Sequence, residues 1–157
     1  MAQRFGEWGV MNTDHENALI AGTMNASEQI LAQGCFLGEG SCYWMLGLDI
    51  SCVKGEKGAV LVNASNGSQT LQVYCLDGVS TGNGRYRYAF SKFDAMDELV
   101  RESRGIIGFA FPLKNGEFQV VRFDLDGAVA SVDSMRRTAS QRVGKTPTIR
   151  GTRDQRL

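Results

Sequence analysis

Short apolar runs, each closed off by Gly, Asn, Asp or Ser, recur along most of this chain, and that punctuation restricts it to an antiparallel β architecture. The runs are Phe5–Asn12, Ala18–Asn25, Gln29–Leu37, Ser41–Ile50, Ala59–Ala64, Thr70–Leu76, Arg85–Ser91, Gly105–Leu113 and Glu117–Leu125. Between them stand Gly38-Glu39-Gly40, Asn66-Gly67 and Gly82-Asn83-Gly84, residues that tolerate the positive φ of a tight reversal. The sharpest hairpin signal is the segment from Gly105 to Leu125. There Asn115-Gly116 fits the centre of a type I′ turn, while Ile107, Phe109, Phe111 and Leu113 alternate onto one face. Gly108 and Ala110 fall on the other face and leave room for another element to approach. Pro112 has no N–H to give a ladder, so this arm is expected to be irregular or at an edge there.

Two helices are expected. Ser91-Lys92-Phe93-Asp94 can cap the first, whose apolar stripe is Phe93, Met96, Leu99 and Val100. The second starts near Asp126-Gly127, with Asp126 as its cap, and carries Ala128, Val132, Met135 and Ala139 at helical spacing. Beyond Val143 the periodicity stops. The sequence therefore reads as one mainly β domain over residues 1–143, an antiparallel β-sandwich or flattened barrel with two short α-helices, followed by a disordered basic tail over 144–157.

The chain of 157 residues has a formal net charge of zero, but the balance is uneven. From Arg136 onward, seven Lys and Arg residues stand against Asp154 alone, so an acidic body precedes a basic end. Such an end is ordinarily a solvated terminus. No apolar run approaches the roughly 18–20 residues that span a bilayer, so no membrane span is expected.

All four cysteines, Cys35, Cys42, Cys52 and Cys75, crowd among the central runs. Their spacing lacks the two short pairs of a structural zinc site, and the only histidine, His15, is far off, so no metal is expected. An even number in a strand-rich domain favours two disulfides and an oxidising compartment, with free cytosolic thiols as the alternative. Four cysteines allow three pairings. Gly38-Glu39-Gly40 can reverse the chain between Cys35 and Cys42, which favours that bridge and leaves Cys52 with Cys75, but spacing alone does not choose. The start of the chain carries no apolar leader, so a periplasmic or secreted protein would here begin at its mature end.

The remaining motifs are weak. Gly78-Val79-Ser80-Thr81-Gly82 has the letters of a nucleophile elbow, but a strand rather than a helix is expected after it, and Ser80 would depend on His15 as base. Asp14-His15-Glu16 reads as an exposed turn. Asn25, Asn63 and Asn66 open formal glycosylation triplets of the kind that arise by chance in turns. Arg85-Tyr86-Arg87-Tyr88 alternates cation and aromatic, placing both arginines on one face of a strand and both tyrosines on the other. Exposed, such a strand could stack on single-stranded nucleic acid; on an acidic body an ordinary amphipathic strand is the expected reading.

The opening Phe5-Gly6-Glu7-Trp8-Gly9-Val10, the cysteines among strands, and the closing Phe123-Asp124-Leu125-Asp126-Gly127-Ala128 resemble the invasion-associated locus B family of small bacterial extracytoplasmic proteins. Met11-Asn12 stand where that family usually has a cysteine. The resemblance implies a periplasmic or secreted β-sandwich with no known catalytic reaction, and it transfers no site residues. The expectation is thus a non-enzymatic bacterial envelope protein without cofactor that binds another macromolecule, a protein rather than nucleic acid. Trp8, Arg85, Tyr86, Arg87 and Tyr88 are its candidate contact residues. A periplasmic enzyme inhibitor using the Gly38–Gly40 turn, and a small hydrolase built on Ser80 and His15, are the alternatives.

Overall fold

The computed structural model describes residues 3–13, 17–38, 40–81 and 85–145. Among these residues ten strands form one antiparallel sheet: β1 (Gln3–Phe5), β2 (Trp8–Thr13), β3 (Ala18–Met24), β4 (Ile30–Phe36), β5 (Cys42–Leu48), β6 (Lys57–Ala64), β7 (Gly67–Thr81), β8 (Arg85–Phe90), β9 (Ile106–Pro112) and β10 (Phe118–Asp124). Helix α1 (Phe93–Glu102) follows β8, and α2 (Ala128–Lys145) follows β10. The sheet order is β1-β2-β3-β4-β5-β8-β7-β6-β9-β10.

The sheet curls until its two ends meet through side chains rather than a backbone ladder. The Trp8 indole N–H donates to the Asp124 carbonyl at 2.7 Å, Asn25 Nδ2 to the Arg122 carbonyl at 3.0 Å, and Gln119 Nε2 to Asp49 Oδ1 at 3.2 Å. The result is a flattened barrel around one core. Trp8 and Trp44 meet edge-on at 6.2 Å, while Phe109 packs against Phe90 and Phe123. Alternation explains the choice of residues: Val60 and Val62, Ile107, Phe109 and Phe111, and Val121 and Phe123 are all buried, with exposed or half-buried neighbours between them.

The two segments that carry the family resemblance lock onto each other. The Glu7 amide donates to the Asp126 carbonyl at 2.9 Å. Gly127 has φ +90°, and a Cβ there would lie 1.6 Å from the Phe5 carbonyl oxygen, so only glycine allows the first hairpin to seat against the start of α2.

Several sequence expectations need correction. The first run, Phe5–Asn12, is broken into β1 and β2 by a reversal at Gly6 (φ +60°). The β9–β10 turn is not type I′. The Leu113 amide donates to the Glu117 carbonyl and only Gly116 takes positive φ, which is a three-residue loop closed by a left-handed glycine. Ser91 does not cap α1; its hydroxyl bonds Gln72 Oε1, and Lys92 holds the capping position without a side-chain bond. At α2, Gly127 rather than Asp126 occupies that position, its carbonyl accepting from the Ser131 amide. Helix α2 runs eighteen residues and extends through Gly144 and Lys145 of the expected tail. The rest of the expected tail, 146–157, lies outside the described residues.

Candidate functional site

Both helices are fastened to the sheet by one polar cluster centred on Asp97. Its Oδ1 accepts from Gln33 Nε2 and Trp44 Nε1, each at 3.2 Å, and from the Arg136 guanidinium at 2.6 Å. Its Oδ2 accepts from Arg101 Nε at 3.1 Å. Arg101 also reaches Asp133 at 2.7 Å, and that bond, opposed by partial burial and joined by the bond to Asp97, raises the guanidinium pKa further above its ordinary range. Arg136 completes the ring by donating to Gln33 Oε1 at 2.7 Å and lying over the Phe93 ring. Every charge here has a partner, so the cluster is built to hold rather than to react.

The opposite situation holds beside the second disulfide. Cys35 and Cys42 are bridged (S–S 2.05 Å), and so are Cys52 and Cys75, the pairing the turn between the first two favoured. Cys35 and Cys42 face each other directly across β4 and β5. Cys52–Cys75 instead ties the irregular segment after β5 to β7, and that segment becomes one wall of a cleft of about 530 Å³. Tyr86, Tyr88 and Val73 line it; Phe111, Pro112 and Leu113 form the facing lip; Glu56, Lys57 and Lys114 bring charge to its mouth.

Tyr88 is fixed there. Its hydroxyl donates to the Ile50 carbonyl at 2.6 Å, and its ring packs 6.0 Å from that of Phe111. Burial, with Glu56 and Tyr86 nearby, pushes its pKa up to about 12, so it remains a neutral donor at any physiological pH.

The cleft exists because β6 and β9 part company. β6 pairs with β7 along its whole length, from Lys57↔Tyr74 to Ala64↔Gly67. With β9 it pairs only at Leu61↔Ala110, Val62↔Phe109 and Asn63↔Gly108. Continuing that register would set Ala59 opposite Pro112. Since the Leu113 amide bonds across to β10, alternation turns the Pro112 nitrogen toward β6, where it has no hydrogen to give. The irregularity expected at Pro112 is therefore the origin of the cleft.

The candidate contact residues divide. Tyr86 and Tyr88 share the inner face and line the cleft, and the arginines take the other face, as the alternation required. Trp8 is a correction: it is fully buried against Trp44, and its indole N–H is spent on the Asp124 carbonyl. Arg85 is a second correction. It is 14% exposed and clamps the β3–β4 turn, donating to the Glu28 and Ser27 carbonyls, where Glu28 takes positive φ. Arg87 is half-buried beside it. Asn25 organises the same turn, with its Oδ1 accepting from the Ser27 and Gln29 amides, so its triplet is a turn motif. Ser80 lies within β7, which runs past the expected end at Leu76, and the next described element is strand β8 rather than the helix an elbow needs. His15 and Glu39, the latter at the tip of the supposed inhibitory turn, lie outside the described residues. The outer face around Gly108 and Ala110 was expected to meet another element. Among the described residues none covers it, and Leu61, Ile106, Phe118 and Val120 are exposed there.

Sequence reading missed Lys57, Lys114 and the Ser51–Val53 wall, although Pro112 inside a strand pattern was a usable signal. Among the described residues there is no group of His, Cys, Asp and Glu that could hold a metal, and no helix is long and apolar enough to cross a membrane.

No protein-family model and no curated protein matches this chain. Among solved structures, the fold is similar to that of invasion associated protein B from Bartonella henselae, with a TM-score of 0.61 and 10% sequence identity over 89% of this chain and 99% of that one. At that identity the likeness is one of fold alone.

Proposed function

We propose that this is a non-enzymatic protein of the bacterial envelope, periplasmic or secreted, that binds another protein through the cleft beside Tyr86 and Tyr88. The observation that carries this reading is the Cys52–Cys75 bridge, because an oxidised bond holds the cleft wall in place. Disulfides persist outside the reducing cytosol, so a site that depends on one belongs there. The lining supports binding: Tyr88, held at its hydroxyl, together with Tyr86, Phe111 and Pro112 supplies contact energy. The fold likeness to a bacterial invasion-associated protein agrees with the compartment.

Two measurements test this. Protein recovered from fractionated native cells and alkylated without reductant should carry no modified cysteine and should sit in the envelope fraction. Four modified thiols in a cytosolic fraction would overturn the assignment. A photo-crosslinking residue in place of Leu113 should trap a protein that the same residue in place of Leu61, on the outer face, does not. Equal capture from both positions would remove the cleft as the site.

A further inference from the structure

We infer that the cleft receives an extended segment of its partner as an added strand along β6, with a bulky apolar side chain of that segment seated over Tyr86 and Tyr88 and acidic side chains meeting Lys57 and Lys114. The inference rests on the protein-binding reading above and names how the partner is held.

Main-chain geometry supplies the first argument. The two-residue loop that joins Ala64 to Gly67 closes the β6–β7 ladder, and alternation from that pair turns the N–H and C=O groups of Lys57 and Ala59 away from β7. Their natural partners would be on β9, but pairing with β9 ends at Leu61. A short row of strand edge is thus left open in the middle of the sheet order, next to the cleft rather than at either outer edge. An unpaired edge of this kind is a template for another chain. The outer edge at β10 is a poorer one, because side chains of Asn25 and Trp8 already occupy the Arg122 and Asp124 carbonyls.

Space is the second argument. Gly58 sits between the two open positions, has no positive φ, and has nothing within 4 Å of where a Cβ would stand. Neither its conformation nor its packing demands glycine, and a glycine within a strand often marks close approach by another backbone.

Charge supplies the third. Lys57 and Lys114 flank the mouth, and among the described residues neither has an ion pair. Glu56, the acid beside them, already accepts from the Val53 amide. A segment with carboxylates on either side of its anchoring residue would complement both lysines.

The probe is a set of peptides selected from a random display library against the intact, oxidised protein. They should share an aromatic or large aliphatic residue flanked by Asp or Glu, and on binding they should slow hydrogen exchange at the Lys57 and Ala59 amides. Ala59→Pro removes a donor on the open edge only, where proline is tolerated, so the fold should persist while affinity falls at least ~10-fold. Repeating the selection with Lys57→Glu and Lys114→Glu together should turn the consensus from acidic to basic. Peptides that fill the cleft without protecting Ala59, and that bind Ala59→Pro equally well, would overturn strand addition; a partner still trapped through Leu113 would leave the proposed function standing. Protection that appears with rising protein concentration alone would make a second copy of this chain the occupant and overturn the inference as stated. An unchanged consensus in the doubly inverted variant would remove the acidic requirement.

Discussion

The region around Asp97 and the region around Cys52–Cys75 use the same strands for opposite ends. β8 joins them, since Tyr86 and Tyr88 line the cleft, Phe90 is core, and the chain then enters α1. Around Asp97 four donors converge on one carboxylate, and helices and sheet become a unit. Around Cys52–Cys75 a covalent bond holds an irregular wall open, two strands diverge, and backbone groups are left over. The difference teaches that saturation of hydrogen bonds marks the part that carries the fold, and the unsaturated part, kept in shape by a crosslink, is where binding capacity remains.

This contrast can be broken experimentally. The largest loss is expected from Gly127→Ala, which forces a positive φ and a collision with Phe5 on the helical side. It should cost on the order of 4 kcal/mol in urea denaturation, a large part of a typical total of ~5–15 kcal/mol. Next comes Asp97→Ala, which removes the shared acceptor of Gln33, Trp44, Arg101 and Arg136 and leaves Arg101 only Asp133 and Arg136 only Gln33. About 3–4 kcal/mol is expected, and exchange rates should rise in α1 and α2 before they rise at Tyr86 or Tyr88. Equal loosening of both regions would erase the distinction drawn above.

The two disulfides sharpen it. Replacing Cys52 and Cys75 by serine frees a loop with a sequence separation of 23, against 7 for Cys35 and Cys42. Chain entropy assigns about 3 kcal/mol to the first and about 2 kcal/mol to the second. Only the first should also abolish crosslinking from position 113. The smallest effect is expected from Tyr88→Phe, which leaves the Ile50 carbonyl without its donor and costs about 1 kcal/mol. Its pH dependence has a definite sign. The folded pKa of Tyr88 is raised from 10.0 to about 12, so its stabilising share is complete below pH 10 and is lost as pH rises through about 12. The gap between wild type and Tyr88→Phe, measured by denaturant midpoints, should therefore close over that interval.

Much of this is legible in the sequence. Strand positions follow from period-two burial, and the α2 stripe Ala128, Val132, Met135 and Ala139 is buried as its spacing required. The splitting of tyrosines from arginines in β8 is likewise a consequence of alternation. Trp8 and Arg85 show the limit. Both looked available for contact because a residue type carries no information about what lies opposite it; one meets Trp44 across the core and the other meets a turn more than fifty positions away.

What the sequence by itself determined is local: which segments extend, which coil, where glycine must turn the chain, and that the cysteines sit where strands can bring them together. Those properties depend on neighbours within a few residues and on the spacing of apolar groups. Only the tertiary structure decided that β6 and β9 would part beyond Leu61 and Ala110, that Asp97 would gather donors from four elements, and that Gly127 would face Phe5. Each of these is a meeting of distant segments, fixed by sheet order and register, and register is set by the whole core at once rather than by any stretch of it.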